Sequence, residues 1–133
     1  MRIATHQDID PTSCGTVEEL EPGRSVVRLT TTVCMQADDT GLVHGGFIFG
    51  LADYAAMLAV NQPTVVLGAA ECRFLKPVRV GQIVKAVAAL DGIPDRKHFV
   101  NVEVVLDGEA VFTGRFTCFV QSRHVVEKFN RTG

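Results

Sequence analysis

The amino-acid sequence predicts an α+β domain in which a single helix is enclosed by a curved antiparallel sheet. Two observations carry this prediction. The segment Gly45 to Asn61 (GGFIFGLADYAAMLAVN) is apolar nearly all the way round, so a helix formed by it must be buried on most sides. The remaining chain holds a series of β-branched, roughly alternating segments with short separators, which makes most of them antiparallel neighbours.

The first predicted strand is Ser25 to Met35 (SVVRLTTTVCM), and the DDTG after it carries a turn signal. The helix follows, and Gly50, Ala52, Ala55, Ala56 and Ala59 would let a sheet approach it closely. Four more strands are predicted over Thr64 to Phe74, Gln82 to Leu90, His98 to Leu106 and Ala110 to Val120. Their separators are Pro77 with Gly81, the DGIPD segment at Asp91 to Asp95, and Asp107-Gly108, a strong two-residue hairpin signal. The tail from Gln121 to Gly133 is too short and mixed to assign; it would extend the last strand or fray.

At 133 residues and 47% hydrophobic content, the chain has the size and apolar content of one ordinary domain. It contains no repeat or linker, so residues 1–133 are read as a single unit. A net charge of −2 lacks the basic field that nucleic-acid binding needs, so any anionic ligand must be held locally. The first fifteen residues have no apolar core of a signal peptide, and the apolar stretch Phe47 to Val60 is interrupted by Asp53. That stretch also falls short of the roughly 20 residues that span a bilayer. A soluble cytoplasmic protein with no membrane partner is expected. Cys14, Cys34, Cys72 and Cys118 are scattered, with no metal-ligand spacing and no clustered histidines, and read as reduced thiols.

The helix begins at His44-Gly45-Gly46. Glycines there leave the free N–H groups of the first turn accessible, and the positive end of the helix dipole adds to them. Those amides could receive a polarised carbonyl oxygen. An isolated His-Gly-Gly step is more often a tight loop entering a helix. Asp53 shifts that balance, because a carboxylate in an enclosed apolar helix is costly unless it is paired or has a task. Partial burial would make its charged form a reactive base or nucleophile. Asp53 lies seven residues after Gly46, nearly two turns, so both share one face about 10 Å apart along the axis. One carbonyl group cannot touch both. Two antiparallel helices across a two-fold axis would place the Asp53 of one beside the first-turn amides of the other, which favours a dimer with two shared sites.

HGGFIFGLADYAA followed by FLKPVRVG resembles the PaaI-type acyl-CoA thioesterases of the hotdog superfamily, from about Gly41 to Val120. The HGG-x6-D spacing followed by F-L-x-P-x-x-x-G is specific in combination. The resemblance implies a hotdog fold: a long central helix wrapped by a five-stranded antiparallel sheet, with dimers joining two sheets edge to edge. It also implies that Gly45 or Gly46 donates an amide to the thioester oxygen and that Asp53 acts from the opposite subunit as nucleophile or general base. His44 matches the motif histidine, which shapes the loop more than it performs chemistry. Some members carry a serine or similar residue that positions water on the strand after the helix. The matching stretch here, Val65 to Ala69, has no hydroxyl. Asn61, Thr64 and Glu71 are nearby substitutes, each more simply explained as an element-end or surface residue.

Coenzyme A carries several phosphate charges, so a binder of it needs local cations. Arg73, Lys76 and Arg79 around Pro77, and Arg96 and Lys97 at the later turn, are the candidates. Phe47, Phe49, Tyr54 and Met57 are candidates for an acyl pocket, although core packing explains them equally well. The expected activity is hydrolysis of an acyl-CoA thioester by a homodimer or tetramer, without metal or redox cofactor. The rival is a non-catalytic acyl-CoA binding or sensing protein of the same fold. A hydratase lacks its matching histidine and acid arrangement, and a purely structural module leaves Asp53 without a reason.

Overall fold

The computed structural model describes residues 1–122 and residue 126. Most of the Gln121–Gly133 tail lies outside the described residues. The elements are α1 (Pro11–Cys14), β1 (Thr16–Glu21), β2 (Arg24–Thr30), α2 (Gly45–Val60), β3 (Val65–Phe74), β4 (Ile83–Asp91), β5 (Lys97–Leu106) and β6 (Glu109–Val120). A single 3₁₀ turn spans Val33–Met35.

The six strands form one antiparallel sheet in the order β1-β2-β4-β5-β6-β3. The α+β class and the one long helix agree with the sequence reading, and two details differ. The sheet has six strands where five were expected, because TVEELE forms β1 at one edge. Its exposed glutamates hide the alternation, since only Val17 and Leu20 are partly buried. The first predicted strand stops at Thr30 rather than Met35. There the Thr31 hydroxyl hydrogen-bonds the carbonyls of Arg79 and Gln82, and the chain then enters the 3₁₀ turn at Val33–Met35.

The helix packs on the inner face of the sheet. Leu51, Met57 and Leu58 have no exposure and meet Val27, Phe112 and Phe116 in one core. Each such side chain contributes about 1.5–3 kcal/mol of hydrophobic burial. Ser25 on β2 pins the helix to the sheet by donating its hydroxyl proton to the Ala55 carbonyl at 2.6 Å. Asn61 ends the helix in the left-handed conformation, and its amide also accepts from Ala4 N–H and donates to the Arg2 carbonyl. The hairpin at Asp107-Gly108 forms as expected, with positive φ at both residues. At the far edge of the sheet, β3 pairs among the described residues with β6 alone, leaving its other side open to a further strand.

Candidate active site

The entrance to α2 is set by loop hydrogen bonds. Val43 N–H donates to the Val78 carbonyl and His44 N–H to the Met35 carbonyl, both at 2.8 Å. His44 is the N-cap in extended conformation, no side chain caps the helix, and its first turn holds no acidic residue. The positive end of the helix dipole is thus left without a compensating charge of its own. The two glycines allow close packing here. A methyl group on Gly45 would stand 3.1 Å from the Phe74 ring, and one on Gly46 would stand 2.8 Å from His44 Nε2. Gly45 also lines a groove of about 320 Å³ with Leu42, Phe74, Leu75 and Lys76.

Asp53 lies on the helix flank, partly buried, and its Oδ1 is buried without a hydrogen-bond partner among the described residues. Desolvation raises its carboxyl from 3.8 to about 6. Two thiols sit within reach of its charge. Cys118 is pushed up to about 12, chiefly by burial and then by Asp53. Cys14 is raised by burial, Asp10 and Asp53. Both thiols therefore stay protonated near neutrality, which removes them as nucleophiles. Within one chain Gly46 and Asp53 are separated by nearly two helical turns, about 10 Å. They do not converge on one atom.

The other candidates divide by location. Phe47 packs edge-on against the His44 ring at 6.2 Å, beside the helix entrance. Phe49 stacks on Phe116, and Met57 is sealed in the core. Tyr54 is almost fully buried and faces a groove of about 450 Å³ under the N-terminal segment, with Ile3, Ile9 and Val17. Lys76 lies by the helix entrance and is ion-paired to Glu109. Arg79 is exposed, with its N–H bonded to Gln82 Oε1. Arg73 pairs across strands with Thr113 on the outer sheet face and lines a separate groove of about 680 Å³ there, away from the helix. Arg96 is exposed in the turn before β5, and Lys97 starts that strand with its ammonium 5.9 Å from the Phe119 ring.

The substitutes for the missing hydroxyl are each engaged or placed elsewhere. Asn61 is engaged at the helix end, the Thr64 hydroxyl donates to the Gln121 carbonyl, and Glu71 is exposed beside Arg73. One residue escaped the sequence reading: His98 has a buried Nδ1 without a hydrogen-bond partner. A lone histidine at a strand start carries no signal of its own. Among the described residues, no group of three or more His, Cys, Asp and Glu side chains is placed to hold a metal ion, and no helix is long and apolar enough to cross a membrane.

The thioesterase superfamily model matches residues 40–113, which include the helix, Asp53 and strands β3 to β5. The chain belongs to the thioesterase superfamily. Its fold is nearly superimposable on an uncharacterised protein of Pyrococcus horikoshii, at 46% identity and a TM-score of 0.93 over 95% of this chain and 97% of that one. The chain is also similar to a mutant of the phenylacetic acid degradation protein PaaI from Thermus thermophilus, at 31% identity and a TM-score of 0.76, over 84% of this chain and 97% of that one. These neighbours establish the hotdog fold and the PaaI-type likeness. Among curated relatives, methylthioribose-1-phosphate isomerase of Aquifex aeolicus is 46% identical over 87% of the chain. Transcription factor FapR of Shouchella clausii is 32% identical over 62% of it. The chain spans only 25% of the length of that isomerase and 44% of that of the regulator.

Proposed function

We propose that the protein hydrolyses the thioester of an acyl-coenzyme A at sites shared between two subunits. The carbonyl oxygen is received by the first-turn amides at Gly45 and Gly46 of one helix, and Asp53 of the other subunit attacks the carbonyl or activates water to do so. The observation that carries this reading is the buried Asp53 Oδ1 without a partner. A carboxylate kept for structure would be paired, because leaving it unpaired costs about 1–3 kcal/mol or more. A carboxyl raised to about 6 is instead a stronger base than an ordinary one and still ionised at neutral pH.

The second subunit is required by the Gly46 to Asp53 spacing. The open edge of β3, with Gly68, Ala69 and Ala70 exposed, offers the surface for edge-to-edge pairing. His44 shapes the entrance by lying over Gly46, without a partner carboxylate to make it a base. Lys76 and Arg79 near one helix entrance, with Arg96 and Lys97 from the opposite end of a second sheet, would meet the phosphates. Phe47 would border the acyl group. Arg73 and Tyr54 contribute only if the assembly brings their grooves to the ligand.

A second reading is ligand binding without turnover. It is favoured by the likeness to a transcription factor. A panel of acyl-CoA substrates separates the two when turnover and calorimetric binding are followed on the same purified protein. Turnover of at least one member supports the hydrolase; tight binding throughout with no free thiol released supports the sensor.

A further inference from the structure

Among the described residues, two buried side-chain polar atoms lack a hydrogen-bond partner: Asp53 Oδ1 and His98 Nδ1. Buried polar groups are normally satisfied by protein or by ordered water, so each calls for a partner from outside the chain.

The strand register brings the two together. Leu67 of β3, Cys118 of β6 and His98 of β5 form one row across the sheet. Side chains opposite one another in antiparallel strands point to the same face, with Cβ atoms about 5 Å apart. Cys118 is fully buried in the core beneath α2, so His98 also points to the helix side. Phe49, one turn before Asp53 on the same face of α2, packs on Phe116, which precedes Cys118 on the same face of β6, so Asp53 lies over the Cys118 end of that strand. Asp53 and His98 are therefore both neighbours of Cys118 on the helix side of the sheet. On β3 the residues of this face nearest the row, Val65, Leu67 and Ala70, offer no polar side chain.

We propose that His98 is a positioning residue of the Asp53 site, its Nδ1 anchoring the ordered water that Asp53 activates. This rests on the hydrolytic reading above. Water is both donor and acceptor, so it can serve the carboxylate oxygen and an imidazole nitrogen in either tautomer. An anion would be repelled by the carboxylate, and among the described residues no third His, Cys, Asp or Glu completes a metal site with the two. Burial lowers the His98 pKa and keeps the ring neutral, which suits it to holding water rather than pairing with the carboxylate. In the reaction Asp53 takes a proton from the water as its oxygen bonds to the thioester carbon. The carbon–sulfur bond then breaks, and the proton passes from Asp53 to the leaving thiolate, giving the free acid and the thiol. His98 neither gains nor loses a proton.

The test compares His98→Leu, His98→Asn and Asp53→Asn with wild type on the best substrate of the acyl-CoA panel, reading kcat, KM and melting temperature. Leucine removes the anchoring atom, whereas asparagine keeps a polar atom near the position of Nδ1. The expected result for His98→Leu is a fall in kcat of about tenfold or more, with KM within about twofold and an unchanged or higher melting temperature. His98→Asn should recover most of the lost kcat. Wild-type kcat in a folded His98→Leu protein overturns the role, as does loss of activity in both variants in step with lost folded protein. An inactive Asp53→Asn beside a fully active His98→Leu removes only the His98 inference. A fully active Asp53→Asn, or a wild type that hydrolyses no member of the panel, defeats the hydrolytic reading and this inference with it.

Discussion

The His44 ring lies so close over Gly46 that a methyl group at that position would meet Nε2 at 2.8 Å. Gly46→Ala should therefore swing the exposed ring aside and crowd the first-turn amides. Alanine is also the better helix former by roughly 0.5–1 kcal/mol. The expected outcome is a melting temperature equal to or above wild type with turnover reduced about tenfold or more. Equal turnover would mean that the carbonyl is received elsewhere.

Assembly follows from the same helix. Because Gly46 and Asp53 cannot serve one carbonyl within a chain, the protein should be at least dimeric at micromolar concentration by light scattering. Ala70→Pro on the open edge of β3 should weaken that dimer, since proline cannot donate to a ladder. A fully active monomer would remove the shared site.

The helix and the four later strands were legible because periodicity and turn residues are local signals. Asp53 stood out for the same reason, as a charge inside an apolar run. What stayed hidden depended on partners distant in sequence. β1 is an edge strand whose glutamates pair with Arg24, Arg28 and Lys85 of its neighbours, so its composition reads as surface. The role of His98 rests on a cross-strand register with Cys118, which no spacing along the chain encodes. The candidate cations were easily named, but only the fold puts Lys76 at the helix entrance and Arg73 on the outer face.

Salt dependence tests the cations. Lys76 and Arg79 are exposed, so their attraction for phosphates should be screened as ionic strength rises. Lys76→Ala with Arg79→Ala should raise KM severalfold while changing kcat little. Breaking the exposed Lys76 pair with Glu109 should cost little stability. An unchanged KM in the double variant, at low and high salt alike, would make these cations ordinary surface.

The Asp53 carboxyl gives a pH signature of definite sign. Its folded value of about 6 lies above the ordinary 3.8, so folding takes up a proton between the two. The cost of burying the charge is fully present above pH 6 and disappears as pH falls toward 4. Asp53→Asn should be more stable than wild type at pH 8, by on the order of 1–3 kcal/mol, with the difference vanishing near pH 4. Taking the difference cancels the contribution of His98, whose lowered pKa acts in the opposite direction. Turnover of wild type should rise with pH through about 6 and then level. A stability difference that does not vary with pH would contradict the burial of an unpaired carboxylate.

The turnover of Asp53→Asn on the best acyl-CoA, measured on a preparation whose melting temperature is also recorded, tests the central claim most directly. Asparagine nearly preserves volume and removes charge and basicity. Loss of the nucleophile or base should lower turnover by on the order of 10²-fold or more. Ligand affinity should change little, because the amides of Gly45 and Gly46 remain, and the melting temperature should hold or rise, because Oδ1 has no partner among the described residues to lose. Near-wild-type turnover in the well-folded variant would contradict the account.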